Sequence, residues 1–148
     1  MAPDALTVYA GRIARERLEQ EGWQPTLFDT LVGASGGPKF LGIAGLDRFL
    51  FGDFLQRSDH PMHLIGSSIG CWRHAALAAR DPLKSHAVLV ERYTEQYYDP
   101  ADTRSRVQQV AELCDWVVDG FMTPDDADLL CNHPRFISHV VTARGRGF

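Results

Sequence analysis

Two stretches of the sequence fit the pattern Gly-x-Ser-x-Gly: Gly33-Ala34-Ser35-Gly36-Gly37 and Gly66-Ser67-Ser68-Ile69-Gly70. A serine hydroxyl is a poor nucleophile. It needs a base to take its proton and donors to hold the oxyanion that forms on attack. A sharp strand-to-helix turn supplies part of this. It lifts the serine above a sheet at the positive end of a helix, and small flanking residues let the turn close. The second match has that context: it follows the strand-like run "HPMHLIG" and opens the helix-like stretch "SIGCWRHAALAAR". Ser68 is therefore the candidate nucleophile, with Gly66 and Gly70 as the small residues of its elbow.

The first match suits another task. Gly36 and Gly37 have no side chains to shield their N–H groups, and Pro38 marks a helix start directly after them. Consecutive bare amides at a helix N-terminus form an anion cradle. Gly36 and Gly37 are thus candidate oxyanion donors. Ser35 is a loop residue, and Lys39 either adds positive charge or orients the loop. The structural alternative is close helix–strand packing for the glycines and a solvated helix position for Lys39.

The spacing of apolar residues predicts the elements that hold these turns. An amphipathic helix is expected over 4–22, capped by Asp4, ended by Gly22, and with Leu6, Ile13, Ala14 and Leu18 on one face. A strand is expected over 26–32, then a helix over 38–56 that is apolar around most of its circumference. Strand 60–66 and helix 68–80 flank Ser68. Asp81-Pro82 restarts a helix over 82–98, another runs over 102–118, and Thr123 caps a short one over 123–131. The alternating, β-branched run 135–143 is the third strand. Strands separated by helices imply an α/β fold, with a mainly parallel sheet covered by helices on both faces in three layers. Three strands leave an unpaired edge, which a partner chain or a further segment would cover.

The pairing of "GASGGPKF" with "GSSIGCWR" resembles the patatin-like phospholipase family, over the N-terminal part of its catalytic domain. In that family a Gly-Gly-x-Arg/Lys loop after the first strand forms the oxyanion hole, and a Gly-x-Ser-x-Gly elbow carries the nucleophile. The resemblance implies that Gly36, Gly37 and Lys39 correspond to the loop, supported by Gly33, and that Gly66, Ser68 and Gly70 correspond to the elbow. Ser35 stands where many members carry another glycine. The implied activity is hydrolysis of a carboxylic ester in a lipid or another acyl-ester substrate, through an acyl-enzyme on Ser68. No metal or organic cofactor is needed. The resemblance covers residues from about Leu27 onward and treats 1–148 as one partial domain.

The resemblance also implies a Ser–Asp dyad, its aspartate in an Asp-Gly turn after a later strand. Asp119-Gly120 is the chain's one Asp-Gly pair. It ends a helix-spaced stretch in which Gly120 reads as a C-cap. Asp119 is thus a candidate acid, and the alternative is an aspartate on a segment outside these residues. Two other functional readings stand beside the dyad. One is an α/β-hydrolase triad, whose histidine would be His74, His86, His133 or His139. The other is a relative without turnover, whose glycine loop binds a phosphate or lipid headgroup. The helix carrying Phe49, Phe51 and Phe54 suits either an acyl-chain pocket or the core.

Composition narrows the classes. The chain has 148 residues, 45% hydrophobic and 23% charged, with a net charge of −4. No run of Lys and Arg forms a phosphate-neutralising stripe, so nucleic acid is not an expected partner. The first 22 residues lack the apolar core of a signal peptide. The most apolar stretch, 40–55, is broken by Asp47, Arg48 and Asp53, so no membrane span is expected. Cys71, Cys114 and Cys131 are an odd set without metal spacing, read as reduced thiols in a cytoplasmic protein. The His60–His63 and Cys131–His133 pairs lack partners at ligand spacing. Asp125, Asp126 and Asp128 read as helix N-terminal charge, so no metal site is expected.

Overall fold

In a computed structural model of the chain, which describes residues 6–146, three short strands form one parallel sheet in the order β1-β2-β3. They are β1 (Thr30–Gly33), β2 (Met62–Gly66) and β3 (Phe136–Val140). Thr30, His63 and Ile137 share one register row, and Gly33, Gly66 and Val140 close the carboxyl end. Parallel neighbours need crossover connections. The first runs through α2 (Ala44–Gly52). The second runs through α3 (Ile69–Leu77), α4 (Pro82–Thr94), α5 (Arg106–Phe121) and α6 (Pro124–Cys131). The chain is α/β, as its alternating pattern predicts.

Side chains alternate across a strand, so each face of the sheet has its own set. Met62, Leu64 and Phe136 are buried under the helices, packed with Phe51, Phe54, Leu55 and Leu77. A second cluster holds α3, α4 and α5 together through Ile69, Ala76, Leu89, Val117 and Phe121. The opposite face carries Thr30, Val32, His63, Ile65, Ile137 and His139. Val32 is 70% exposed and Ile137 46%, and both histidines are exposed. The expected helical cover is therefore present on one face only among the described residues. An N-terminal helix, α1 (Arg12–Glu21), buries none of its residues and does not supply it.

Other expectations need adjustment. α1 starts at Arg12, because Leu6 and Val8 instead line an apolar cavity of about 390 Å³ with Trp23, Phe49 and Phe54. The proposed cap Asp4 lies outside the described residues. Gly22 does end the helix, at φ +75°. The expected helix over 38–56 is three pieces: a 3-10 helix Gly37–Ile43, then α2, then a 3-10 helix Phe54–Arg57. Glycines at 42, 45 and 52 weaken α-helix across this stretch. Gly52 is also where Leu83 packs, its Cδ2 within 2.8 Å of the place a Cβ would take.

α5 does not stop at Gly120. It runs to Phe121, so Gly120 is not its C-cap. A Cβ on Gly120 would lie 2.2 Å from Arg92 Nε. The glycine lets the Arg92 guanidinium cross α5, where it lies 4.9 Å from the Trp116 ring centre and donates to the Trp116 carbonyl. At the N-termini, Ser105 with Gln108 and Thr123 with Asp126 form capping boxes.

Candidate functional site

The elbow begins where β2 ends at Gly66 and finishes where α3 starts at Ile69. Ser68, between them, has φ 53° and ψ −126°. It is the one non-glycine residue with positive φ among the described residues. A Cβ is unfavourable there, at a cost of roughly 1–3 kcal/mol. The turn is held by backbone bonds. Ser67 N–H donates to Gly33 O at 3.0 Å, Gly70 N–H to Ser67 O at 3.0 Å, and Cys71 N–H to Ser68 O at 2.8 Å.

The flanking glycines are required by space. A Cβ on Gly70 would sit 2.1 Å from the Gly33 carbonyl oxygen, and one on Gly66 would sit 2.8 Å from Cys71 N. The first pattern match has no such apex. Ser35 lies in an exposed loop between Gly33 and the 3-10 helix that opens at Gly37. The two Gly-x-Ser-x-Gly turns are thus physically different objects.

The Gly70–Gly33 contact ties the elbow to the end of β1 and so brings the glycine loop beside it. Gly37 has φ +54° and starts the 3-10 helix. Neither Gly36 nor Gly37 gives its N–H to a backbone carbonyl among the described residues. Tyr93 links the two turns. Its hydroxyl lies 3.3 Å from where a Gly37 Cβ would be. Its ring also lines a cleft of about 210 Å³ with Ser68, Ile69, Trp72, Gln96 and Cys114. Burial raises the Tyr93 phenol's pKa, with smaller pushes from Tyr98 and Cys114, so it stays a proton donor. Lys39 is exposed and folds beside Gly36, its Cβ 3.7 Å from the place of a Gly36 Cβ.

Ser68 is exposed at this cleft, and its side chain caps no helix N–H. Cys114 lines the same cleft, but burial first and Asp115 second raise its thiol pKa. It therefore stays protonated and is the weaker nucleophile. Among the described residues no Asp, Glu or His lines the cleft. Asp119 is exposed near the end of α5 and is not among the cleft walls.

The candidate histidines lie away from the cleft walls. His133 Nδ1 accepts from the Arg135 and Phe136 amides. His139 pairs with His63. His74 is buried in α3 against Gly33, with both ring nitrogens unpartnered. Burial, and then the positive charge of Arg73, push its pKa down to about 4, so it is neutral.

Compared with protein-family models, with curated proteins and with solved structures, the chain matches none.

A further set of residues supports the elbow and was not singled out by motif. Asp47 of α2 is fully buried and accepts from Arg73 Nε at 2.7 Å and from a second Arg73 nitrogen. His86 Nε2 of α4 lies 3.4 Å from the same carboxylate. Burial acts to raise the Asp47 pKa, but the bonds from His86 and Arg73 hold it below the usual carboxylate value. Arg73 is on the elbow helix, so this cluster fixes α3 against α2 and α4. The available signal was an aspartate inside an otherwise apolar stretch, which sequence reasoning used only against a membrane span. No described helix is long and apolar enough to cross a membrane.

Proposed function

We propose that this chain carries the nucleophile and oxyanion half of a serine acyl hydrolase, with Ser68 attacking a carboxylic ester. The observation that carries this is the Ser68 backbone, a strained positive-φ serine at the N-terminus of α3 and the carboxyl end of β2. Such strain persists where surrounding structure enforces it, and it clusters at working sites. The carboxyl ends of parallel strands are also where open α/β sheets bind ligands.

In the proposed reaction Ser68 Oγ bonds to the acyl carbon while a base takes its proton. The carbonyl oxygen becomes an oxyanion facing the Gly36 and Gly37 amides. Collapse breaks the ester C–O bond and the leaving alcohol takes the proton. Water then attacks the acyl-serine, releasing the carboxylic acid and restoring the hydroxyl. The cleft's apolar walls, Ile69, Trp72, Val110 and Leu113, suit an acyl chain, which makes a lipid the favoured substrate class. The base is a carboxylate from outside the cleft walls, as the patatin resemblance implies. A cytoplasmic setting belongs to the same proposal.

A reading without turnover has one observation in its favour: among the described residues no acid or imidazole lines the cleft. Intact-mass analysis after incubation with a short-chain nitrophenyl ester separates the two. The proposal predicts one acyl adduct that maps to Ser68 and is absent from Ser68→Ala. Reversible binding of the ester with no adduct would favour the binding module instead.

A further inference from the structure

The bare face of the sheet holds a second arrangement, remote in chemistry from Ser68. His63 on β2 and His139 on β3 are two register rows apart on the same face, His63 opposite Ile137 and His139 opposite Ile65. Such diagonal neighbours on paired strands are within reach of long and aromatic side chains. Their rings meet with centroids 5.1 Å apart, and His63 Nδ1 lies 2.9 Å from His139 Nε2. Both residues are exposed.

Two imidazole nitrogens this close suit a shared metal ion. With metal–nitrogen bonds of about 2.0–2.1 Å, two ligands at a right angle stand about 2.9 Å apart, and two at a tetrahedral angle about 3.4 Å apart. The observed separation matches the right angle, the preference of Cu2+ and Ni2+ with nitrogen ligands. The strands fix the two Cα positions, so little ordering is needed. The shared hydrogen bond requires one of the two nitrogens to carry a proton. Binding moves that proton to the other nitrogen of its own ring, and both rings turn so that their lone pairs leave the N–N line and converge on the ion. No group of three or more His, Cys, Asp or Glu is gathered among the described residues. Water therefore completes the coordination, and the ion stays exchangeable.

We propose that His63 and His139 form a two-imidazole surface chelate for a divalent ion of square-planar preference. It is independent of Ser68 and requires only that the two rings reach solvent, as they do here. The test is calorimetric titration of the full chain with Ni2+, which avoids the thiol oxidation that Cu2+ would cause. The wild type should take up one equivalent. His63→Ala and His139→Ala should each weaken binding on the order of a hundredfold, since each breaks the chelate. The double variant should lose far less on the second substitution than on the first, because the chelate is already broken. His63→Gln and His139→Gln serve if an alanine variant loses its circular-dichroism signature. Unchanged affinity in either single variant, or no Ni2+ uptake by the folded wild type, would overturn the chelate.

Discussion

At Ser68 the polypeptide holds a side chain where glycine would be more comfortable. Ser68→Gly should therefore raise stability by about 1 kcal/mol, because glycine accepts this φ without strain. Ser68→Ala keeps the Cβ and should not share the gain. Urea unfolding of both variants checks this, and equal stability of the two would count against strain at the elbow. His74 makes a second prediction at this scale. Its folded pKa, near 4, lies below the unfolded value near 6.5. Between those values the unfolded chain binds more protons, so stability is full above about pH 6.5 and falls as pH drops towards 4. The loss should be on the order of 3 kcal/mol at the acid end. His74→Leu should flatten this part of the stability–pH curve, and an unchanged slope would show that the buried imidazole does not titrate this way.

At the scale of elements, the elbow depends on glycine contacts between β1, β2 and α3. Gly70→Ala drives a Cβ into the Gly33 carbonyl and should cost more than about 2 kcal/mol. Gly45→Ala in α2 meets nothing within 4 Å and should be neutral or stabilising by up to about 1 kcal/mol. Urea midpoints in the opposite order would refute the packing described. Asp47→Ala should cost roughly 3–5 kcal/mol, since it strands Arg73 beside the buried His86. The elbow was legible in the sequence because its chemistry is local: two glycines at fixed spacing around one serine. The Asp47 cluster was not, because Arg73 and His86 lie 26 and 39 residues away. The break of the 38–56 stretch into 3-10 and α segments was hidden for another reason. Its apolar pattern suits both helix types; the glycines at 42, 45 and 52 weaken α-helix there, and the packing of Leu83 on Gly52 and Tyr93 on Phe40 is not visible in sequence. Gly120 was misread as a stop because nothing local announces that Arg92 crosses there.

For the molecule as a whole, alternation of strand and helix correctly implied a parallel α/β sheet. It also implied helices on both faces, and the described residues cover one. The residues that depart from that rule, Val32, Ile65 and Ile137, look like ordinary core positions in sequence. Ser68 and its apolar cleft lie at the carboxyl end of β2, beside the loop that carries Gly36 and Gly37, and among the described residues no acid or imidazole lines the cleft. The most direct measurement is labelling of the folded chain with a fluorophosphonate, which reacts with activated serines, in the wild type, Ser68→Ala and Ser35→Ala. The account predicts that labelling survives Ser35→Ala and disappears in Ser68→Ala. Labelling that depends on Ser35, or a folded wild type that is not labelled at all, would contradict a nucleophilic Ser68.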